Sequence, residues 1–287
     1  CARNVAGNNA IGKFILIGDH KQLPAVVLQS ESQSEVCEEC LQSIGLYNLK
    51  DSLFERLYRT VSANHSSPTT QRFYDMLCRQ GRMNVEVARF PNHAFYGGLL
   101  EAVGLPHQQG ELVLAPGLES DEFADVLVSR VAFLPSVPEF PSQSAKINHF
   151  EARLTARLAA SVYRQYEASN SGFNSALTLG VITPYRSQIA LIKREIAALG
   201  IPVLNDILVD TVERFQGSER DVIIYSFCVN RTYQLKFLAN LTEEKGVWID
   251  RKLNVALTRA RKQLFMTGVP HLLRQNPIYA DLLDTVL

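Results

Sequence analysis

Short apolar runs alternate with amphipathic helical patterns along most of the chain, and this alternation limits the available folds more than any other feature. Four apolar runs have the length of buried strands: residues 126–134, 177–182, 222–227 and 264–267. Helical spacing lies between them at 150–162 and 187–199, with Asn148 placed to cap the first helix. This order predicts an α/β fold with a doubly wound, mainly parallel sheet covered on both faces. Because ligand sites in such sheets form at the carboxyl ends of strands, we expect the functional residues there.

The composition excludes a globally basic nucleic-acid-binding protein. Lys plus Arg and Asp plus Glu both total 29, so any contact with nucleic acid must be local. No apolar run approaches the roughly 20 residues that span a bilayer, and no secretory leader opens the sequence, so we expect a cytoplasmic protein without membrane contact. Five scattered cysteines include one CxxC pair, Cys37 and Cys40, which lacks the second pair that a zinc site needs. We therefore expect no metal ligands in this chain.

The segment 7–13 imitates a phosphate-binding loop. Its sequence, GNNAIGK, fits the first seven positions of that loop. The next position must be Ser or Thr to bind Mg²⁺, but it is Phe14, and an apolar strand predicted at 14–17 follows where a helix should begin. We interpret 7–13 as a turn that leads into this strand.

Several separated segments carry the functional information. They are GDHKQLP at 18–24, RQGRM at 79–83, FYGGL at 95–99, ITPYRSQ at 182–188, VDTVERFQGSERDVII at 209–224 and LNVALTRAR at 253–261. Any one could be accidental, but together and in this order they resemble the motifs of superfamily 1 helicases of the Upf-like group. The sequence departs from the family at Gly81, where the family has Tyr, and at Asn84, where His is usual. We predict a strand, a glycine turn and a strand over 209–224, and a helix over 253–261.

The resemblance implies a domain organisation. Residues 66–287 would form the second RecA-like domain of a P-loop NTPase, and 1–27 a remnant of the first RecA-like domain. An insertion and a linking helix, predicted at 46–57, would occupy 28–65.

The resemblance also implies nucleotide contacts. Gln22 would sense the γ-phosphate or the attacking water, since an amide at a strand tip can change hydrogen-bond partner after hydrolysis. Arg82 and Arg259 match the family's arginines that reach the γ-phosphate, a task suited to a bidentate, permanently charged guanidinium. Three further positions match nucleotide contacts: Gln216, Gly217 and Glu219. Gly217 allows close approach of the backbone to phosphate, and Glu219 corresponds to the residue that meets the ribose.

The family's contacts with single-stranded nucleic acid map onto two further segments. Thr183, Arg186 and Gln188 lie where a strand end opens a helix, and their side chains can donate to phosphate there. Tyr185, between them, is equally consistent with core packing. Thr211 lies near the nucleic-acid track in the family.

The complete family motor binds ATP and Mg²⁺ between two RecA-like domains and moves along single-stranded DNA or RNA. The phosphate loop and the Asp-Glu motif that precede the 18–24 turn in the family do not occur in these 287 residues. We therefore expect the chain alone to bind neither ATP nor Mg²⁺ and to have no ATPase activity, acting instead with the first RecA-like domain of the same protein. The apolar strand at 14–17 would then pack on the second domain or pair with another chain.

Two other functions remain open. A degenerate motor domain could bind nucleic acid or protein without hydrolysing ATP. A metal nuclease could use Asp210, Glu213 and Asp221, but no catalytic Lys follows at the usual spacing. The sequence does not distinguish DNA from RNA, or the direction of movement.

Overall fold

The computed structural model describes residues 5–7, 10–63, 74–140, 145–169, 171–244 and 246–287. The chain divides into two compact units, Cys1–Met76 and Leu77–Leu287. The predicted boundary at residue 66 lies outside the described residues, and the domain assignment stays a prediction. No helix among the described residues is long and apolar enough to cross a membrane.

The described part of the first unit contains three helices: α1 Glu31–Ser34, α2 Glu39–Gln42 and α3 Leu53–Ala63. The turn at 18–24 packs on α3. A Cβ on Gly18 would meet the Phe54 ring at 3.3 Å, and the His20 ring stacks on Tyr58 with centroids 4.3 Å apart. These ring contacts fix the turn within its own unit.

Two predictions for the first unit are wrong. Residues 14–17 form no strand, because no strand among the described residues of this unit pairs with them. Their apolar side chains are exposed. The helix predicted from residue 46 begins only at Leu53. Asn48 accepts a hydrogen bond from Lys50 N at 2.9 Å and Ser52 accepts one from Glu55 N at 3.1 Å, so polar side chains hold the preceding backbone in turns.

The elements of the second unit follow in chain order: β1 Arg79–Gln80, α4 Val85–Tyr96, β2 Glu101–Ala102, α5 Pro106–Gln109, α6 Ala124–Leu127, β3 Val131–Pro135, α7 His149–Ala168, β4 Leu179–Ile182, α8 Arg186–Ala198, a 3-10 helix Pro202–Asp206, β5 Leu208–Asp210, α9 Val212–Phe215, β6 Arg220–Ser226, a 3-10 helix Thr232–Gln234, α10 Leu235–Leu238, β7 Leu241–Glu244, β8 Val247–Asp250, α11 Arg251–Leu257, β9 Ala260–Gly268, α12 Pro270–Leu273 and α13 Pro277–Val286. Two pairs of short strands stand apart from the central sheet: β1 pairs with β2 in parallel, and β7 with β8 in an antiparallel hairpin.

A five-stranded sheet in the order β3-β9-β6-β4-β5 forms the centre of the second unit, and every neighbouring pair is parallel. Helices α7 and α8 cover one face, where Val222 and Ile224 of β6 join the main core, and α4, α11 and α13 cover the other. Asn148 caps α7 by accepting from Glu151 N at 2.9 Å. The predicted doubly wound parallel sheet and the predicted cap are confirmed.

Three segments differ from the prediction. The run at 126–134 is divided between the end of α6 and β3, and a helical turn, α9, stands between β5 and Gly217. The helix predicted over 253–261 ends at Leu257, and β9 begins at Ala260. The Thr258 hydroxyl bonds to Asn254 O at 2.7 Å, which caps α11 and lets the following residues enter the sheet beside β6.

Gly180, in β4, lets the Phe215 ring lie directly against the strand. A Cβ at this position would lie 2.6 Å from Phe215 Cε1 and 3.0 Å from Arg220 Cγ. We expect Gly180→Ala to lower the free energy of unfolding by about 1–3 kcal/mol, because this core has no room for a methyl group. Chemical denaturation measures the change. Gly81→Ala is the matched control, since its Cβ would lie 3.5 Å from the nearest atom; equal losses in both variants would contradict the packing argument.

Candidate nucleotide and nucleic-acid sites

The predicted site residues of the second unit fall at opposite ends of the central sheet. Three predicted nucleotide residues lie around the amino ends of β6 and β9: Arg82, Glu219 and Arg259. Two predicted nucleic-acid residues follow the carboxyl ends of β4 and β5: Thr183 and Thr211. Asp210, the last residue of β5, and Tyr225 of β6 both pair with Ile182, so they lie at the same level in the sheet. Tyr225 follows Glu219 by six residues. At about 3.3 Å per residue, the amino-end and carboxyl-end groups therefore lie about 20 Å apart. The expectation that all functional residues would lie at the carboxyl ends is therefore wrong for the nucleotide set.

Two contacts orient the Arg82 side chain. Its Nε donates to Glu219 Oε2 at 2.7 Å, and its Nη1 donates to Thr258 O at 3.2 Å. The side chain is 34% exposed. Because a guanidinium carries five N–H groups and two of its nitrogens contact described residues here, other donors remain for an anion at this surface, as far as the described residues extend.

The loop that carries Arg82 is built by amide side chains. Gln80 Oε1 accepts from the backbone N of Arg82 at 3.0 Å and from that of Met83 at 2.8 Å. The buried Gln108 donates from Nε2 to the backbone carbonyls of Gln80 and Met83, and His107 Nε2 lies 2.9 Å from Arg82 O. The motif analysis of the sequence did not predict roles for Gln108 and His107, because residues 106–109 lie outside every motif.

Glu219 links Arg82 to a wider group of ion pairs. Arg261 Nε lies 3.4 Å from Glu219 Oε1, and Arg261 Nη1 lies 3.2 Å from Asp221 Oδ1. Lys262 Nζ lies 2.8 Å from the other oxygen of Asp221. The carboxylate of Glu219 is therefore shared by two arginines, which holds both guanidinium groups at the same surface.

The three carboxylates of the nuclease alternative do not come together. Asp210 is the last residue of β5 and Glu213 lies just beyond it, whereas Asp221 lies near the amino end of β6 and is paired with two cations. A two-metal or one-metal cleavage site requires its carboxylates to share an ion. The geometry argues against this alternative.

Arg259 is buried, with 2% of its surface exposed. Its guanidinium donates to Val255 O at 3.1 Å and to Ser218 O at 3.3 Å. It also donates to the Thr258 hydroxyl at 3.1 Å. These contacts join the end of α11 to the loop before β6, so in this structure Arg259 supports the loop that carries Gly217 and Glu219. It lies in the turn between α11 and β9, not on a helix as predicted.

Gln216 and Gly217 form the exposed turn of that loop. Gly217 has φ +82°, a backbone conformation that side chains with a Cβ rarely adopt, and the space at its Cβ position is open for at least 4 Å. Ser218 N donates to Phe215 O at 3.0 Å and closes the turn. An open glycine turn at this position allows a ligand to approach the backbone closely.

The predicted nucleic-acid residues at the start of α8 differ in exposure. Thr183 is fully buried, and its hydroxyl has no hydrogen-bond partner among the described residues. Gln188 is also buried; its Oε1 accepts from Asn148 N at 2.9 Å and its Nε2 donates to Asn148 O at 3.0 Å. Only Arg186 of the three is exposed to a ligand. Gln188 joins α8 to the start of α7 instead of facing solvent.

Thr211 lies at the start of α9, where its N donates to Asp210 Oδ1 at 2.8 Å. Burial would raise the pKa of Glu213, but hydrogen bonding to Thr211 and the nearby Lys252 ammonium outweigh burial and lower it. Lys252 Nζ lies 3.4 Å from Glu213 Oε1, and this ion pair lines a cavity of about 20 Å³ that also borders Thr183. The cavity has room for about one water molecule.

A buried carboxylate fixes the turn after β6. Glu151 is fully buried and accepts hydrogen bonds from Ser136 Oγ at 2.9 Å, Ser226 Oγ at 2.7 Å and Cys228 N at 2.9 Å. Burial raises the pKa of Glu151 to about 7, although all three donors act in the opposite direction. Cys228 has φ +48°, an uncommon backbone conformation for a residue other than glycine. The carboxylate therefore holds a strained turn in place.

Gln22 belongs to the first unit. Its Nε2 donates to Asp19 Oδ2 at 2.9 Å, and Asp19 Oδ1 accepts from Lys21 N at 3.0 Å. The amide is thus engaged within its own turn, and its contact with a nucleotide stays a prediction.

The AAA domain family matches residues 49–271. The chain belongs to this family. A curated relative described as an uncharacterized ATP-dependent helicase, from Methanocaldococcus jannaschii, is 30% identical over 277 residues, covering 94% of this chain and 34% of that protein. The DNA polymerase alpha-associated DNA helicase A of Saccharomyces cerevisiae is 27% identical, covering 92% and 35%. The DNA replication ATP-dependent helicase/nuclease DNA2 of Mus musculus is 28% identical, covering 95% and 24%.

These relatives confirm the resemblance of this AAA domain to superfamily 1 helicases of the Upf-like group. The chain spans about a quarter to a third of their length. Among solved structures, the C-terminal domain of a possible DNA helicase from Lactobacillus plantarum aligns with 70% of this chain and over 96% of its own length, at 14% identity and a TM-score of 0.35. The AAA domain match includes every predicted site residue of the second unit, but it begins after Gln22.

Proposed function

We propose that this AAA domain is one half of an ATP-driven motor that moves along single-stranded DNA or RNA, and that it acts with a first RecA-like domain of the same protein. The observation that carries the proposal is the Arg82 guanidinium, which Glu219 and Thr258 O orient at the surface with donors to spare. The relatives named as ATP-dependent helicases support the same reaction.

At the nucleotide end, each residue has a role that suits its surroundings. Arg82 would neutralise phosphate oxygens of ATP with its unused N–H groups. Gln216 and Gly217 would bring the backbone close to the nucleotide, and Glu219 would accept from the ribose while it holds Arg82. Arg259 would support the loop that carries Gly217 and Glu219 through its buried hydrogen bonds. If this loop opens, Arg259 would serve as the second arginine finger.

The fit of ATP rests on the open turn at Gly217, where no atom of the described residues lies within 4 Å of the Cβ position, and on the partly exposed Arg82 side chain. ATP supplies the phosphoryl group that is transferred to water. These side chains would bind and orient the ATP molecule. We assign no Mg²⁺ ligand to this chain; the metal and the β- and γ-phosphates would be held by the first RecA-like domain.

At the nucleic-acid end, Arg186 would contact a backbone phosphate from the exposed start of α8. We propose that Gln188 acts indirectly, because both ends of its amide hold the backbone of Asn148 and so fix α8 against α7. Thr183 and Thr211 would line the same track at the carboxyl ends of β4 and β5. The Thr183 hydroxyl would meet nucleic acid only after a local rearrangement, since Thr183 is fully buried.

The proposal predicts how ATPase activity depends on the length of the protein. Residues 1–287 alone should hydrolyse no ATP above background, with or without single-stranded DNA or RNA. A longer protein that joins this chain to an ATP-binding first domain should hydrolyse ATP, and a single strand should stimulate it. A coupled phosphate-release assay measures both.

Each failure has a distinct meaning. ATP hydrolysis by residues 1–287 alone would contradict the assignment of the phosphate-binding groups to another domain. Inactivity of a well-folded longer protein that still binds single strands would favour the non-catalytic binding module over the motor.

A further inference from the structure

An exposed aromatic ring and a guanidinium stack on each other at the carboxyl end of the sheet. The Arg231 guanidinium carbon lies 3.4 Å from the centroid of the Phe140 ring, and Phe140 is 58% exposed. Arg231 Nη1 donates to Asn230 O at 3.0 Å and to Glu139 O at 3.4 Å. The guanidinium is therefore fixed from the backbone side, while the aromatic ring remains open to solvent.

Buried amides fix the two loops that carry this pair. Asn230 Oδ1 accepts from Glu139 N at 3.1 Å and from Asn148 Nδ2 at 2.9 Å, which joins the loop after β3 to the loop after β6. Gln234 Oε1 accepts from the backbone N of both Asn230 and Arg231 at 2.9 Å. Asn230 and Gln234 are each about 1% exposed, so these hydrogen bonds are protected from water. These buried hydrogen bonds hold the loops that carry Phe140 and Arg231 in fixed positions.

One tyrosine connects this pair to Arg186, and a second is exposed beside Arg231. Gln234 Nε2 donates to the Tyr185 hydroxyl at 3.1 Å, and Tyr185 directly precedes Arg186. Tyr233 is 56% exposed in the same loop as Arg231. Aromatic and basic side chains are thus neighbours in the two segments that carry Arg186 and Arg231.

The charged side chains near Arg186 and Arg231 favour binding of a polyanion. Lys146 is exposed, and its carbonyl accepts from the Ser187 hydroxyl at 2.9 Å, so it lies beside the start of α8. The nearby carboxylate of Glu139 accepts a hydrogen bond from His149 N at 2.7 Å, and its Oε1 lies 2.7 Å from His149 Nδ1. The three cations Lys146, Arg186 and Arg231 outnumber this carboxylate and provide local positive charge in a chain without net charge.

We propose that Phe140, backed by Arg231 and continued by Tyr233, is a base-stacking platform for single-stranded nucleic acid, with Arg186 and Lys146 placed for the phosphates. The proposal rests on the proposed function and adds base contacts to it. Stacking on an aromatic ring suits a motor that must accept any sequence, because every base presents a π-face. A guanidinium packed against the ring adds cation–π attraction.

The test measures binding of fluorescein-labelled oligo-dT and oligo-rU to residues 1–287 by anisotropy across a range of salt concentrations. Phe140→Ala should weaken binding by roughly five- to hundredfold, because each lost stacking contact is worth that much. The slope of log Kd against log salt should not change, since no phosphate contact is removed. Phe140→Trp should retain the affinity. Arg186→Ala should instead reduce the magnitude of the slope by about 0.7.

Leu177→Ala is the matched control. Leu177 is 63% exposed just before β4, at the opposite end of the sheet, so its removal should leave binding unchanged. Loss of binding in Phe140→Ala but not in Leu177→Ala, with either oligonucleotide, supports the platform. If the parent chain binds but Phe140→Ala binds equally well, the platform is wrong and the proposed function stands. If the parent chain binds neither oligonucleotide, the platform is overturned, because all of its residues lie within this chain; the proposed motor function is judged separately by the ATPase activity of the longer protein.

Discussion

Arg82→Ala should lower the ATPase rate of a protein that joins this AAA domain to a first RecA-like domain by about 10³-fold or more, which is the effect of removing an arginine finger. The same substitution should change thermal unfolding very little. The Arg82 side chain is a third exposed, and its ion pair with Glu219 lies at the surface, where such pairs contribute little to stability. Steady-state ATPase rates and unfolding temperatures of the parent and the variant test both parts.

Two further variants separate a role in the reaction from a role in the structure. Arg157 is about half exposed on α7 and pairs with Glu122, so Arg157→Ala removes a comparable surface charge and should leave the ATPase rate unchanged. Arg259→Ala should lower both the rate and the unfolding temperature, because it deletes a buried guanidinium that donates to Val255 O, Ser218 O and the Thr258 hydroxyl. An Arg82→Ala protein with an undiminished rate would refute the role assigned to Arg82.

Glu151→Gln should remove a pH dependence of about 3 kcal/mol from the stability of this AAA domain. Burial raises the pKa of Glu151 to about 7 in the folded protein, against an ordinary value of 4.5. A group with a raised folded pKa stabilises the fold fully below its unfolded pKa, and this contribution is lost as the pH rises through the folded pKa. The parent should therefore lose stability between about pH 4.5 and 7 and lose no more above that range. Urea denaturation at pH 5, 6, 7 and 8 measures the loss.

The glutamine variant keeps an acceptor for Cys228 N but cannot ionise, so its stability should lack this component of the pH profile. Glu167→Gln, at an exposed position on the same helix, is the control and should keep the profile of the parent. A Glu151→Gln profile parallel to that of the parent would show that Glu151 does not titrate in this range.

The sequence predicted those parts of the fold that depend on local patterns. The Asn148 cap, α8 and the central strands follow from apolar periodicity and from polar groups a few residues apart. The end of α11 could not be predicted in this way, because LNVALTRAR continues a helical pattern. The Thr258 hydroxyl and the pairing of Ala260 with Arg220 in β6 stop the helix, and the second contact joins residues 40 positions apart.

For the candidate sites, motif resemblance named residues but not their surroundings. It could not predict that Arg259 and Gln188 are buried, because burial depends on packing between distant segments. It also passed over Gln108, which shapes the Arg82 loop, and Glu151, which fixes the turn after β6. A glutamine or a glutamate in a helix is usually a solvated residue, so neither carries a sequence signal for these roles.

The separation of the two candidate sites to opposite ends of one sheet has an evolutionary consequence. The loops after β3 and β6 could change in length and composition, and with them the preference for one nucleic acid over another, without disturbing the loops around Arg82 and Glu219. Under the roles proposed above, selection could therefore diversify the nucleic-acid contacts while the nucleotide contacts stay constant, because the strands between them need only preserve their packing.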